Sequence, residues 1–213
     1  MRVHGYYAIL DATPALLADD VALEAQASRL LAGGPCCLQL RAKAAGAADL
    51  LRAARRVIAL CRGRGVPFCV NDRLDVAVAA GAEVVHLGQD DLPLADALRL
   101  RADLGRPGLV VGFSTHNREQ ALAAAAAGAD YIGFGPVFAT SSKLNPDPVV
   151  GLEALAAVCR AVSIPVVAIG GIALASVPAV AAAGAAAVAL ISAVAGAPDP
   201  AAAGRQVAAA FAS

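Results

Sequence analysis

The sequence predicts a (β/α)8 TIM barrel, one domain over residues 1–213, with its active site at the C-terminal ends of the strands. Three observations predict it. Eight short apolar runs recur along the chain, mostly continuous rather than alternating, as parallel strands buried on both faces read. Helix-like segments separate them. The triplet Ala-Gly-Ala recurs before a strand, at 80–82, 127–129 and 183–185, as the tight return from helix to strand. An open doubly wound sheet is the alternative with the same element order, but no GxGxxG follows the first run.

The strand candidates are YYAIL (6–10), CCLQL (36–40), PFCV (67–70), EVVHL (83–87), GLVVGF (108–113), DYIGF (130–134), PVVAIG (165–170) and AAVALIS (186–192). The helix candidates occupy 22–34, 47–65, 74–82, 94–105, 117–129, 151–162, 176–185 and 199–213. The first ends in a glycine pair suited to a C-cap. The second carries Leu50, Leu51, Ala54, Val57, Ile58 and Cys61 on one expected face.

Composition narrows the function classes. Of 213 residues 59% are hydrophobic, ample for a core, and only 16% are charged. With 17 basic and 17 acidic residues, nothing favours nucleic acid or an anionic membrane surface. The sparse charge and abundant alanine hint at a homo-oligomer. The five cysteines have neither zinc spacing nor a CxxC, and read as inert thiols in a reducing cytoplasm. The N-terminus lacks the apolar core of a signal peptide. No charge occurs between Arg160 and Asp199, but Pro165, Gly170, Gly171, Pro178 and Gly184 interrupt that stretch, which argues against a membrane span.

The expected barrel rim carries the chemistry. QLRAK after strand 2 offers Gln39, Arg41 and Lys43, two cations and an amide suited to a phosphate-rich ligand. NDR after strand 3 and HLGQDD after strand 4 place Asp72 and Asp91 on neighbouring loops. Two carboxylates beside phosphate oxygens suit Mg²⁺; the plainer alternative is two helix N-caps. His86, inside a strand run, reads as a packed, hydrogen-bonded core residue. In FSTHN, Ser114 and Thr115 could reach a ligand, and Asn117 fits a cap with Gln120. After strand 6 comes FGPVFATSSKLNPDPVVG, with Thr140, Ser141, Ser142 and Lys143 followed by a proline-stiffened return that could close as a lid. Gly170-Gly171-Ile172 after strand 7 and Ile191-Ser192 after strand 8 lie where many barrels bind phosphate through backbone N–H groups. A Cβ would block close approach there.

QLRAK, NDRLDVA, GAEVVHLGQDDLP, GFSTHN, GADYIGFGPVFATSSK, PVVAIGGI and GAAAVALIS occur in this order. Together they resemble the thiamine phosphate synthase family from residue 6 to about 195. The resemblance implies a Mg²⁺-dependent transferase of thiamine biosynthesis. It would join 4-amino-2-methyl-5-hydroxymethylpyrimidine diphosphate to 4-methyl-5-(2-phosphoethyl)thiazole and release pyrophosphate. It implies that Gln39, Arg41, Lys43, Asn71, Ser114 and Lys143 bind the pyrimidine diphosphate, with Arg41, Lys43 and Lys143 supporting its departure. Asp72 and Asp91 would hold the metal. Thr140, Ser141, Ser142, Gly171, Ile191 and Ser192 would bind the thiazole phosphate. Ala139 stands where the family often has proline, and Ser176 near a frequent asparagine. Two rival readings remain: a thiazole tautomerase of the same barrel, with His116 as candidate base, and a non-catalytic regulator that binds a phosphorylated metabolite.

Overall fold

A computed structural model describes residues 2–140 and 147–212. Its eight strands are β1 (Gly5–Asp11), β2 (Cys37–Arg41), β3 (Phe68–Asn71), β4 (Val84–Leu87), β5 (Val110–Thr115), β6 (Tyr131–Phe134), β7 (Val166–Ile169) and β8 (Ala187–Leu190). Each pairs in parallel with the next, and β8 pairs with β1, so the sheet is a closed barrel. Closure excludes the open doubly wound alternative. All eight expected strands are present, with ends shifted by a few residues.

The helices on the outside are α1 (Pro14–Ala18), α2 (Asp20–Leu31), α3 (Ala47–Arg62), α4 (Leu74–Ala80), α5 (Leu94–Asp103), α6 (Arg118–Ala127), α7 (Gly151–Ala161), α8 (Val177–Ala182), α9 (Ser192–Ala195) and α10 (Pro200–Ala209). A 3₁₀ turn at Leu174–Ser176 leads into α8. The sequence pattern missed α1 and α9. Both are single turns, too short to show a period; Thr13 caps α1, and Pro14 occupies its first position. Asp19, Asn117 and Asp199 cap α2, α6 and α10 by accepting backbone N–H bonds at 2.9–3.0 Å. Gly81 and Gly128 end α4 and α6 in the left-handed conformation, as the Ala-Gly-Ala triplets predict. On α3 the buried face is Leu50, Ala53, Ala54, Val57, Ile58 and Cys61. Ala53 replaces the expected Leu51, which is only half-buried.

The continuous apolar runs have a simple cause. Tyr6, Ala8 and Leu10 of β1 pack outward on the helices, while Tyr7 and Ile9 point into the barrel. Both faces are buried, so no residue alternates with solvent. The interior core joins Tyr7, Ile9, Cys37, Cys69, Val84, Tyr131, Val167, Ala187 and Ala189. Two tyrosines fit because the residues beside them are small: Tyr7 stands opposite Ala189, and Tyr131 opposite Gly112. No helix among the described residues is long and apolar enough to cross a membrane. All five cysteines are free; Cys37, Cys61 and Cys69 are buried.

Outside the barrel, α10 crosses the end of α2 at two glycines. A Cβ on Gly204 would lie 2.8 Å from the Gly33 Cα and 2.9 Å from the Tyr6 ring. Gly204→Ala would gain ~1 kcal/mol in helix propensity but force a clash of ~1–3 kcal/mol with a backbone that cannot yield easily. The clash wins: urea denaturation of this variant should show a net loss of about 1 kcal/mol, and a gain would mean that the helices separate freely.

Candidate active site

The C-terminal strand ends open into a cavity of about 740 Å³. The rim residues Arg41, Lys43, Asn71, Asp72 and Asp91 and the interior residues Gln39, His86 and Ser114 line it, as do Thr140, Gly171, Ile191 and Ser192 from the opposite side. Strand parity explains the depth of each. Gln39 and Arg41 alternate along β2, so the amide sits low at 4% exposure and the guanidinium one layer higher. Ser141, Ser142 and Lys143 lie outside the described residues.

The cations are already paired. Arg41 Nη1 meets Asp11 Oδ1 at 2.5 Å across the β1–β2 rim, and Lys43 Nζ meets Asp72 Oδ2 at 2.6 Å. Asp11 was not foreseen; only the closed register, Asp11 opposite Arg41, brings the two together. Arg73 of the NDR motif turns away and pairs with Asp75 on the outer surface. Asp72 has φ +65°, the left-handed region, and its N–H donates to the His86 carbonyl at 2.8 Å. This kink swings its carboxylate over the cavity toward Asp91.

Neither aspartate is a helix cap, so the plainer alternative fails. Arg73 holds the N-cap position of α4 and Pro93 that of α5. Asp91 instead accepts the Gly88 N–H at 2.7 Å in the turn after β4. Burial, followed by the facing Asp72 carboxyl, pushes the Asp91 carboxyl above its ordinary range. Two carboxyl groups held face to face in a partly buried rim repel once ionised, and a divalent cation relieves that repulsion. Two carboxylates leave most of an octahedral shell to water and phosphate oxygens, a donor set that fits Mg²⁺. Among the described residues no group of three or more His, Cys, Asp or Glu side chains forms a metal cage.

The cavity floor is polar and ordered. His86 Nε2 lies 2.8 Å from Ser114 Oγ, and its Nδ1 lies 3.0 Å from the Tyr131 hydroxyl. Tyr131 meets the Tyr7 hydroxyl at 3.0 Å, and Gln39 Nε2 donates to Tyr7 at 3.1 Å. Burial pushes His86 down to about 4, against a smaller opposing pull from Asp91, so the imidazole is neutral near pH 7. The packed histidine of the sequence reading is therefore found, with one side open to the cavity. Sequence reasoning missed Tyr7 and Tyr131. Their inward parity in β1 and β6 was the available signal, since a buried tyrosine hydroxyl needs a partner.

Thr115 does not reach the cavity: it is fully buried, and its hydroxyl donates to the Gly133 carbonyl at 2.9 Å. Asn117 caps α6 as expected, accepting the Gln120 N–H at 2.9 Å, while Gln120 Oε1 reaches back one residue further and accepts the His116 N–H at 2.7 Å. The His116 ring bonds Gly135 O at 2.6 Å and stands 3.5 Å from Asp147, so it links the two stems of the β6–α7 loop.

Residues 6–194 match the family model described as thiamine monophosphate synthase. The chain belongs to the thiamine monophosphate synthase family. It is 51% identical to the thiamine-phosphate synthase of Anaeromyxobacter dehalogenans (strain 2CP-C) over 210 residues, 99% of this chain and 89% of that protein. It is 50% identical to that of Chlorobium phaeovibrioides (strain DSM 265 / 1930) over 148 residues, 70% of this chain and 69% of the relative. Among solved structures, thiamine phosphate pyrophosphorylase from Pyrococcus furiosus superposes with a TM-score of 0.84 at 34% identity, covering 99% of this chain and 96% of the other. A 3-hexulose-6-phosphate synthase, at 20% identity and a TM-score of 0.66, shares the fold.

Two outcomes follow from the carboxylate pair. A non-glycine residue in the left-handed region costs about 1–2 kcal/mol unless its side chain is Asn or Asp. Asp72→Ala should therefore be about 1 kcal/mol less stable than Asp72→Asn in urea denaturation without divalent ions, since both lose the same charge. Equal stabilities would remove the backbone argument. For Asp91 the sign runs toward acid. A carboxyl raised in the folded state binds protons more readily folded than unfolded, so its penalty is present when ionised and fades as pH falls through the carboxylate range. Asp91→Asn should thus match or exceed the parent in melting temperature at pH 7 without divalent ions, with the gap closing toward pH 4.

Proposed function

We propose that this chain is a thiamine phosphate synthase. It condenses 4-amino-2-methyl-5-hydroxymethylpyrimidine diphosphate with 4-methyl-5-(2-phosphoethyl)thiazole and releases pyrophosphate. The observation that carries the reading is the meeting of Asp72, Asp91, Arg41 and Lys43 on one rim, above a floor of uncharged hydrogen-bonding groups. A diphosphate needs the charged rim, and a neutral heterocycle suits the floor.

The chemistry matches these residue types. The bond between the pyrimidine methylene carbon and the diphosphate oxygen breaks, and its electron pair leaves with the diphosphate. The thiazole nitrogen lone pair then forms the new C–N bond. No proton has to be removed, so no strong base is required, and His86 is neutral and hydrogen-bonded through both nitrogens. Arg41 and Lys43 stand where the leaving charge gathers; Lys143, by the resemblance, joins them. Asp72 and Asp91 would hold Mg²⁺, which when bound neutralises the diphosphate and favours its departure. Asn71 and Ser114 contact the pyrimidine substrate. Thr140, Ser141, Ser142, Gly171, Ile191 and Ser192 receive the thiazole phosphate, the last two at the start of α9. Five free thiols accord with a reducing cytoplasm.

The tautomerase reading is weaker on this geometry. It has no use for two facing carboxylates, and His116, its candidate base, is committed to Gly135 O and Asp147.

The purified chain with both substrates and Mg²⁺ should produce thiamine phosphate and pyrophosphate in equal amounts. Chelation should stop it. Asp91→Asn should lower kcat by about 10²-fold or more and abolish the Mg²⁺-induced rise in melting temperature. Thiazole isomer exchange without pyrophosphate would establish the tautomerase instead, and binding of both substrates without turnover would establish the regulator.

A further inference from the structure

The buried floor contains a continuous chain of hydrogen-bonding groups from β2 to β5. It runs Gln39 Nε2, Tyr7 OH, Tyr131 OH, His86 Nδ1, His86 Nε2, Ser114 Oγ, with links of 3.1, 3.0, 3.0 and 2.8 Å on either side of the imidazole. Five strands contribute one member each: β2, β1, β6, β4 and β5 in that order. Tyr7 and Tyr131 are about 1% exposed and lie at the bottom of the cavity they help to line. Two glycines clear space for Tyr131 and His86. A Cβ on Gly112 would lie 2.1 Å from Tyr131 Cζ, and one on Gly133 would lie 3.2 Å from His86 Cε1.

Such a chain has a direction. An amide nitrogen donates and cannot accept, so the Tyr7 oxygen accepts at the Gln39 end. Each tyrosine has one proton. Either hydroxyl can donate in the Tyr7–Tyr131 pair, but the reverse direction would make Tyr7 accept twice and leave its proton to a thiol sulfur, a weaker acceptor. The favoured direction is therefore Tyr7 to Tyr131 and Tyr131 to His86 Nδ1. A neutral imidazole carries only one N–H, so Nδ1 accepts and Nε2 carries the proton. Nε2–H then donates to Ser114 Oγ, and the Ser114 proton is left to point into the cavity. At the other end, Gln39 Oε1 is neither paired among the described residues nor enclosed, so it meets the cavity that Gln39 lines.

We propose that Tyr7 and Tyr131 are positioning residues. They polarise this chain one way, fix His86 as its Nε2–H tautomer, and so present Ser114 as a donor and Gln39 as an acceptor to the substrate ring. An aminopyrimidine edge offers the complement: a ring nitrogen that accepts and an exocyclic amine that donates. The 4-oxo analogue inverts both, with a ring N–H and a carbonyl. The chain therefore sets selection of the amino over the oxo pyrimidine, although neither tyrosine hydroxyl need touch the ring. This step rests on the synthase reading for the identity of the ring, while the tautomer itself does not.

The test uses the full chain labelled with ¹⁵N-histidine, with His86 assigned by comparison with His86→Gln. Long-range ¹H–¹⁵N spectra of the parent near pH 7.5 should show Nε2 protonated and Nδ1 bare. Tyr131→Phe keeps the ring and removes one hydroxyl. It should shift His86 toward a tautomer mixture and raise the Kd for the pyrimidine diphosphate about 10-fold. The Kd for thiazole phosphate should stay within about twofold. The 4-oxo analogue, measured as a competitive inhibitor, should lose less affinity than the substrate does, so that discrimination narrows. Tyr7→Phe keeps the Tyr131–His86 bond and should give the same changes, smaller. Nδ1 protonated in the parent would overturn the proposal. So would an unchanged tautomer with unchanged affinities in Tyr131→Phe, or equal weakening of both substrates. If the parent makes no thiamine phosphate, the synthase reading fails, and the spectra still decide the direction of the chain.

Discussion

Pairing of β8 with β1, from Gly5 opposite Ala187 to Ala8 opposite Leu190, closes the sheet. Closure removes every strand edge and gives each strand an inside and an outside. Everything chemical in the molecule depends on that division. Because all strands run the same way, their C-terminal ends share one rim, and groups about 30 residues apart in the chain become neighbours. Asp11 reaches Arg41, and Lys43 reaches Asp72, with no local sequence contact between them.

The inside of an eight-stranded barrel has little room, and this protein fills it unevenly. Val84, Val167 and Ala187 supply apolar packing in its interior. Beside them, two tyrosines need glycine and alanine as neighbours, and their hydroxyls need partners. Burial raises both phenols far above their ordinary range, so they remain neutral hydrogen-bonding groups. Neutral groups below and charged groups above follow from depth. An ion deep in the barrel would have to give up its water, whereas one at the rim keeps part of it. The charged site thus stands on an uncharged platform, and the boundary falls between Gln39 and Arg41 on β2, two residues apart.

Much of this was legible in the chain. The eight strands could be read from continuous apolar runs, since burial on both faces leaves that mark in sequence. The rim residues could be read because they immediately follow those runs. Other features could not. The Arg41–Asp11 pair depends on register across β1 and β2, which no single strand encodes. The left-handed backbone of Asp72 shows no signal, because aspartate is tolerated there without glycine's conspicuous identity. Tyr7 and Tyr131 stand unmarked inside their strand runs, and only their approach across the barrel reveals a shared hydrogen bond. Thr115 misled for the opposite reason: adjacent to Ser114, it looked equivalent, but parity turns it away from the cavity.

The glycine pair after β7 shows how one residue type can answer two demands. Close approach to a phosphate was the reason the sequence offered for Gly170-Gly171. The structure adds a contact within the protein. A Cβ on Gly170 would stand 2.4 Å from Pro136 Cβ, and one on Gly171 would stand 2.2 Å from the Ala139 carbonyl. Both glycines have positive φ, at +92° and +64°. The turn lies directly against FGPVFA, and two backbone bonds fasten it there, Val137 N–H to Ile169 O at 2.9 Å and Phe138 N–H to Gly170 O at 3.0 Å. Val150 N–H returns to Pro136 O at 2.9 Å, closing the other stem, and His116 spans the two. A side chain at either glycine would therefore push the β6 loop outward and carry Thr140 away from the cavity it lines. The glycine turn after β7 and the first stem of the β6–α7 loop are held by the same backbone contacts, so neither can shift without the other.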